Sequence, residues 1–193
     1  MEFIKIFWKD PKWAKVKGVF LFCLITIAIH ISFRWWAIDL DYFPIKSFFI
    51  TLSDSIAAVV LQQSSWIISH ILRIHLTIKG NTMYFDNNAG IEISTACSGL
   101  KQLLQFIILM LIYPGPWKHK LWFIPSGMIL IHFTNLFRII GLALIAVVSP
   151  KYMNFGHDYI LRTTFYIVIF GLWWLWVEKI VPCRDNKKSQ NPV

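Results

Sequence analysis

The sequence predicts an all-α polytopic membrane protein with about 4 to 6 transmembrane helices and a small extracytoplasmic β-hairpin. Three observations predict it. Hydrophobic residues make up 56% of the 193-residue chain and the mean hydropathy is +0.57, well above a soluble domain. Four apolar runs approach the length of about 20 residues that a hydrocarbon core requires. One segment, 75–96, alternates apolar and polar residues between turn-forming pairs, and its open backbone would be intolerable in lipid.

The elements follow in order. Residues 1–17 form a basic tail, and 18–36 is the first span. This start resembles a signal peptide, but no small-x-small cleavage site follows, and Arg34-Trp35-Trp36 reads as an interfacial anchor, so the span is expected to be retained. Residues 47–74 are apolar yet carry Asp54, Ala58, Gln62, Ser65, Ser69 and Arg73 at spacings of three and four, a polar stripe on one helical face. An amphipathic or re-entrant helix fits, and the competing reading is two crossings that turn at the helix-weakening Gln62-Gln63-Ser64-Ser65. In 75–96, Leu76-Thr77-Ile78 and Ile91-Glu92-Ile93-Ser94 alternate around Gly80-Asn81 and Asp86-Asn87-Asn88-Ala89-Gly90, the signature of the outer β-hairpin. Further spans are expected at 98–113, 121–148 and 159–178, and 179–193 is a cytoplasmic basic tail.

Charge sets the orientation. With both tails and the Lys118-His119-Lys120 connection in the cytoplasm, the inside carries 11 basic and 4 acidic residues against 8 and 6 for the rest of the chain. The net charge of +9 therefore reads as a topology signal. The basic residues lack the interleaved aromatic platforms that single-stranded nucleic acid requires, so no nucleic-acid partner is expected. The protein is placed in the cytoplasmic (inner) membrane as a multi-pass protein. Its three cysteines are too few and too scattered for a disulfide framework, since Cys23 lies in the first span and Cys183 in the inner tail. Cys97 is left as an unpaired outer thiol.

Ionisable groups in or beside apolar runs demand a reason. Cys97 ends the polar segment at the start of a span. Arg138 lies 17 residues beyond Leu121, roughly 26 Å at 1.5 Å per residue, which brings it just under the outer surface of a core about 30 Å thick. His157 precedes the last span on the same side. The topology thus gathers three reactive groups at one level. An ordinary thiol is mostly protonated at neutral pH, so a nucleophilic Cys97 needs a base or a cation. His157 suits the base that later protonates a leaving amine, and Arg138 suits stabilisation of the thiolate or oxyanion. Asn135, one turn before Arg138 on the same face, could orient the guanidinium or donate a hydrogen bond.

Taken singly, a cysteine near a helix start is usually a packing residue, an arginine near a helix end usually snorkels, and a loop histidine is usually solvated. Their shared depth is what raises the set above those readings. Ser98-Gly99-Leu100-Lys101 matches S-x-x-K without its companion motifs, and Lys101 reads better as a headgroup contact. His132 reads as packing or as support behind the site. Arg162 and Asp158 flank His157 closely enough to tune it or bind substrate, although Asp158 also suits a helix cap. His30, His70 and His75 show no metal-ligand spacing, and neither a metal nor another cofactor is expected.

Ala96-Cys97-Ser98-Gly99-Leu100, followed by Asn135-Leu136-Phe137-Arg138 inside an apolar helix and by His157 before the last span, resembles the exosortase/archaeosortase family of polytopic membrane cysteine transpeptidases. The likeness covers about 75–178, and the chain looks like a short form with fewer N-terminal spans. It implies Cys97 as nucleophile and Arg138 and His157 as its catalytic companions, and the residues around them place Asn135, Ser98, Gly99 and Arg162 in support. The implied substrate is a precursor protein whose C-terminal signal comprises a short motif, a transmembrane helix and a basic tail. Cleavage at the outer face of the membrane and transfer to an acceptor would follow. Such a helix would dock among membrane lipid beside the enzyme's own spans by close packing.

Two other classes compete. A small transporter or channel subunit would use Arg138, Asn135 and His132 as a path, but Leu121 to Leu130 offers only Ser126 and Gly127 toward the inside. A non-catalytic membrane scaffold would present Trp173-Trp174-Leu175-Trp176 to a partner, although those tryptophans read more simply as an inner aromatic belt.

Overall fold

The computed structural model describes residues 14–39, 45–113, 115–153, 156 and 162–180. Apolar runs and good helix formers give five helices among them: α1 (Ala14–Asp39), α2 (Ile45–His70), α3 (Leu100–Ile112), α4 (Trp117–Val148) and α5 (Arg162–Leu175), the last running on into a π-helical turn, Trp176–Ile180. Single 3₁₀ turns precede α3 at Thr95–Cys97 and follow α4 at Pro150–Tyr152. Two helical segments, Trp117–Val148 and Thr163–Ile180, are long and apolar enough to cross a bilayer. Shorter apolar stretches occupy Gly18–Ser32 and Leu100–Ile112. The predicted span at 98–113 is thus a helix of 13 residues, roughly 20 Å long and short of a full core.

Between α2 and α3 the chain forms three strands, β1 (Leu76–Lys79), β2 (Thr82–Phe85) and β3 (Gly90–Glu92), in an antiparallel sheet of order β1-β2-β3. This corrects the expected hairpin. Gly80-Asn81 and Asp86 to Ala89 are both turns, so the four residues between them become a central strand, pairing Ile78 with Met83 and Met83 with Ile91. Gly80, at φ 60°, supplies the left-handed conformation that the first of these turns needs.

α2 is unbroken, which removes the alternative of two crossings turning at Gln62. The hydroxyls that were expected to weaken it bond back into the helix, Ser64 Oγ to Val60 O at 2.6 Å and Ser65 Oγ to Gln62 O at 3.0 Å. Their polarity is satisfied within the helix, so both serines are buried.

Two apolar cores divide the molecule. The first joins α1, α3, α5 and the N-terminal half of α4 through Phe22, Phe106, Phe123, Ile131, Ile169 and Trp176. The second joins α2, the sheet and the C-terminal half of α4 through Val60, Ile68, Met83, Ile91, Ile139 and Ala143. At 32 residues, roughly 48 Å, α4 outruns a core of about 30 Å, and the sheet covers the excess. Asn87 Nδ2 donates to Ala146 O at 2.9 Å and to Val147 O at 3.2 Å, capping α4's last carbonyls.

At α4's other end Lys120 is folded inward. Its Nζ donates to Leu111 O at 3.1 Å and Tyr113 O at 2.8 Å, carbonyls that α3 leaves without helical partners. Trp173 and Trp176, read from sequence as an aromatic belt, are instead buried bundle packing. Trp173 lies against Phe22 and Tyr113, and Trp176 fills the space beside Gly115 and Phe123. Only Trp174 of the three faces outward.

Candidate active site

Cys97 sits where the two cores meet. It closes the 3₁₀ turn after the sheet and belongs to the second core, with 8% of its surface exposed. Its N–H donates to Ser94 O at 2.8 Å and the N–H of Ser98 to Thr95 O at 3.2 Å, so local bonds set the turn. Ser94 Oγ lies 4.0 Å from the sulfur as a donor. Gly99 then takes φ 79°, and the chain reverses into α3 with Ser98 Oγ accepting the N–H of Leu100 at 3.2 Å.

Asn135 clamps this turn from α4. Its Nδ2 donates to both Cys97 O, at 2.9 Å, and Ser98 O, at 3.1 Å. The approach is possible because Gly99 has no side chain, since a Cβ there would lie 3.0 Å from Asn135 Nδ2 in a conformation already unfavourable for L-residues. Asn135 is 1% exposed, and its Oδ1 has no hydrogen-bond partner among the described residues. A buried, half-satisfied carboxamide is costly and needs a compensating role.

Arg138, one turn further along α4, is 93% buried if its exposed 7% is subtracted from the whole. The guanidinium carbon lies 5.8 Å from the centre of the Phe165 ring, which turns the charge toward α5. Arg162 is the first residue of α5. His157 and Asp158 lie outside the described residues, as do Cys183 and most of both basic tails, 1–13 and 181–193. Among the described residues Cys23 and Cys97 are free thiols, Cys23 on the exposed side of α1.

Ser53 of α2 escaped the sequence reading. Its Oγ lies 3.0 Å from Ser98 Oγ and 3.4 Å from Thr95 O, which ties α2 to the turn that carries the thiol. No sequence signal separates it from the other hydroxyl residues of that helix. Lys101, expected among headgroups, has its Nζ 3.3 Å from His30 Nδ1 of α1. His132 Nε2 lies 2.8 Å from Gln63 Oε1 and thus faces α2 rather than the thiol.

The arrangement provides a thiol with a fixed backbone, a helix start beside it and a buried carboxamide at its carbonyl. A family model of transmembrane exosortases matches residues 13–176 of the chain. Comparison with curated proteins and with solved structures finds no match.

Proposed function

Because this chain belongs to the transmembrane exosortase family, we propose that it is a membrane cysteine peptidase and transpeptidase whose nucleophile is Cys97. Its substrate is a precursor protein with a C-terminal motif, a transmembrane helix and a basic tail. The reaction takes place at the outer face of the cytoplasmic membrane, with both tails inside. The observation that carries this reading is the double hydrogen bond from Asn135 to Cys97 and Ser98, which holds the thiol-bearing turn against the helix that also bears Arg138.

The thiolate of Cys97 attacks the scissile carbonyl, His157 having taken the thiol proton, and the developing oxyanion draws on Arg138 and on the positive end of α3. When the C–N bond breaks, His157 returns the proton to the leaving amine. An acyl group remains on sulfur as a thioester. An amine acceptor then attacks that thioester, releases the thiol and forms a new amide, and the apolar surroundings of Cys97 disfavour water as a rival. The unpartnered Oδ1 of Asn135 suits a backbone N–H of the incoming peptide.

The test is precursor processing in membranes. Cys97→Ala should abolish cleavage while the protein inserts and accumulates normally, and Arg138→Ala should lower the rate by roughly 100-fold or more, the scale of losing an oxyanion donor. Maturation of the precursor by a Cys97→Ala protein would end the proposal.

A further inference from the structure

β1 and β3 are the two edge strands of the sheet, and β3 runs directly into the nucleophile turn. In an antiparallel pair, alternate residues turn both of their backbone groups toward the partner strand. The N–H of Phe85 donates to Ala89 O at 2.9 Å and that of Ile93 to Asn81 O at 2.8 Å, which fixes the phase of the β2–β3 ladder. Ala89, Ile91 and Ile93 therefore face β2. Gly90, Glu92 and Ser94 point their N–H and C=O away from it, and on the far edge the same alternation points those of Ile78 outward. Among the described residues none donates to or accepts from the outward backbone groups of Gly90 and Glu92. Such an edge is a template for one more strand.

The position of the thiol decides which edge is used and by what. Ser94 O, on the outward side of β3, accepts the N–H of Cys97 at 2.8 Å, so the 3₁₀ turn folds round to that side and Cys97 closes the row of edge groups. The edge of β1 lies two strands away, roughly 10 Å. Direction matters as well. β3 starts beside the end of α4, where Asn87 holds Ala146 O, and leads to the level at which Asn135 holds Cys97 O, 11 residues earlier in α4 and roughly 16 Å nearer the bundle. A precursor with its body outside and its transmembrane helix below runs the same way.

Resting on the peptidase reading above, we propose that the stretch of precursor before the scissile bond binds as a fourth, parallel strand on the outer edge of β3, its backbone paired with Gly90 and Glu92. Main-chain pairing holds the peptide extended, and side chains of alternate residues are left to set specificity. At about 3.3 Å per residue, the precursor residue beside Glu92 lies about three to five residues ahead of the bond that meets Cys97.

The experiment uses the full chain in proteoliposomes with a precursor whose maturation requires Cys97. Proline at an outward edge position removes a donor that the ladder does not use. Glu92→Pro should lower kcat/KM roughly tenfold relative to Glu92→Ala, which keeps every backbone donor, and the loss should lie in KM. Ile78→Pro removes the corresponding N–H from the far edge and should process at the parental rate. Disulfide scanning reads the geometry without turnover. In a chain with Cys23 and Cys183 replaced by serine and Cys97 by alanine, Glu92→Cys should cross-link to single cysteines at every second position of the precursor. If Glu92→Pro fails to accumulate, that alternation decides alone. Equal rates for Glu92→Pro and Glu92→Ala, equal losses in the two proline variants, or cross-linking without a two-residue period overturns the strand. None of these outcomes touches the nucleophile assignment, which falls only if the precursor matures without the thiol.

Discussion

Asn135 acts on the backbone that carries the thiol, and this decides what its replacement should do. Two hydrogen bonds from one buried carboxamide hold the carbonyls of Cys97 and Ser98, so Asn135→Ala leaves both acceptors buried and unpaired. Each bond contributes about 0.5–1.5 kcal/mol and each stranded acceptor costs about 1–3 kcal/mol, enough to shift the turn. Precursor processing should fall by roughly 10- to 100-fold, whereas alkylation of Cys97 by a small maleimide should accelerate as the turn loosens. A purely structural asparagine would lower both in step with the amount of folded protein. Gly99→Ala should produce a similar result by another route. It places a Cβ 3.0 Å from Asn135 Nδ2 and costs about 1–2 kcal/mol for the left-handed backbone. Unchanged processing in Gly99→Ala would show that the clamp has slack.

The elements show which features were legible in the sequence and which were not. The thiol turn and the Asn135 to Arg138 spacing are local patterns, and a helix one turn long carries them without help from the rest of the fold. Ser53 could not be found that way, because α2 has several hydroxyls and only the three-dimensional path shows that one of them reaches Ser98. The strand Thr82–Phe85 was hidden by two turns so close together that the residues between them read as loop. Trp173 and Trp176 read from sequence as interfacial because an amphipathic ring suits an interface and a helix packing site equally, and burial alone separates the two. Lys120 reads from sequence as a topology charge, yet it closes the end of α3 with two short bonds while 4% exposed. Lys120→Met should therefore lower stability by about 1.5–3 kcal/mol, the scale of hydrogen bonds to a charged group. Detergent unfolding would read the loss, and Lys118→Met, at an exposed neighbour, should leave the midpoint within about 0.5 kcal/mol of the parent.

At the scale of the whole molecule, two cores of different kind share one long helix. The bundle core holds the helices that meet lipid, and the sheet-bearing core holds open backbone that lipid cannot accommodate. Asn135 lies between Ile131, the last α4 residue of the first core, and Leu136, the first of the second. The proposed function puts the bilayer boundary close to Asn135 and Cys97 at the rim of the membrane. The same division gives a topology test. Lys79, at the end of β1, and Lys118, at the start of α4, are both exposed and sit at opposite ends of the molecule. In a background with Cys23, Cys97 and Cys183 replaced by serine, Lys79→Cys should react with a membrane-impermeant maleimide in spheroplasts. Lys118→Cys should react only after the membrane is opened. Because Lys120 beside it is occupied in a cap, Lys118 reports the aqueous side without disturbing the turn. Labelling of both positions from the same side would mean that α4 does not cross the bilayer, and the thiol would then have no fixed depth at which to meet a membrane-anchored precursor.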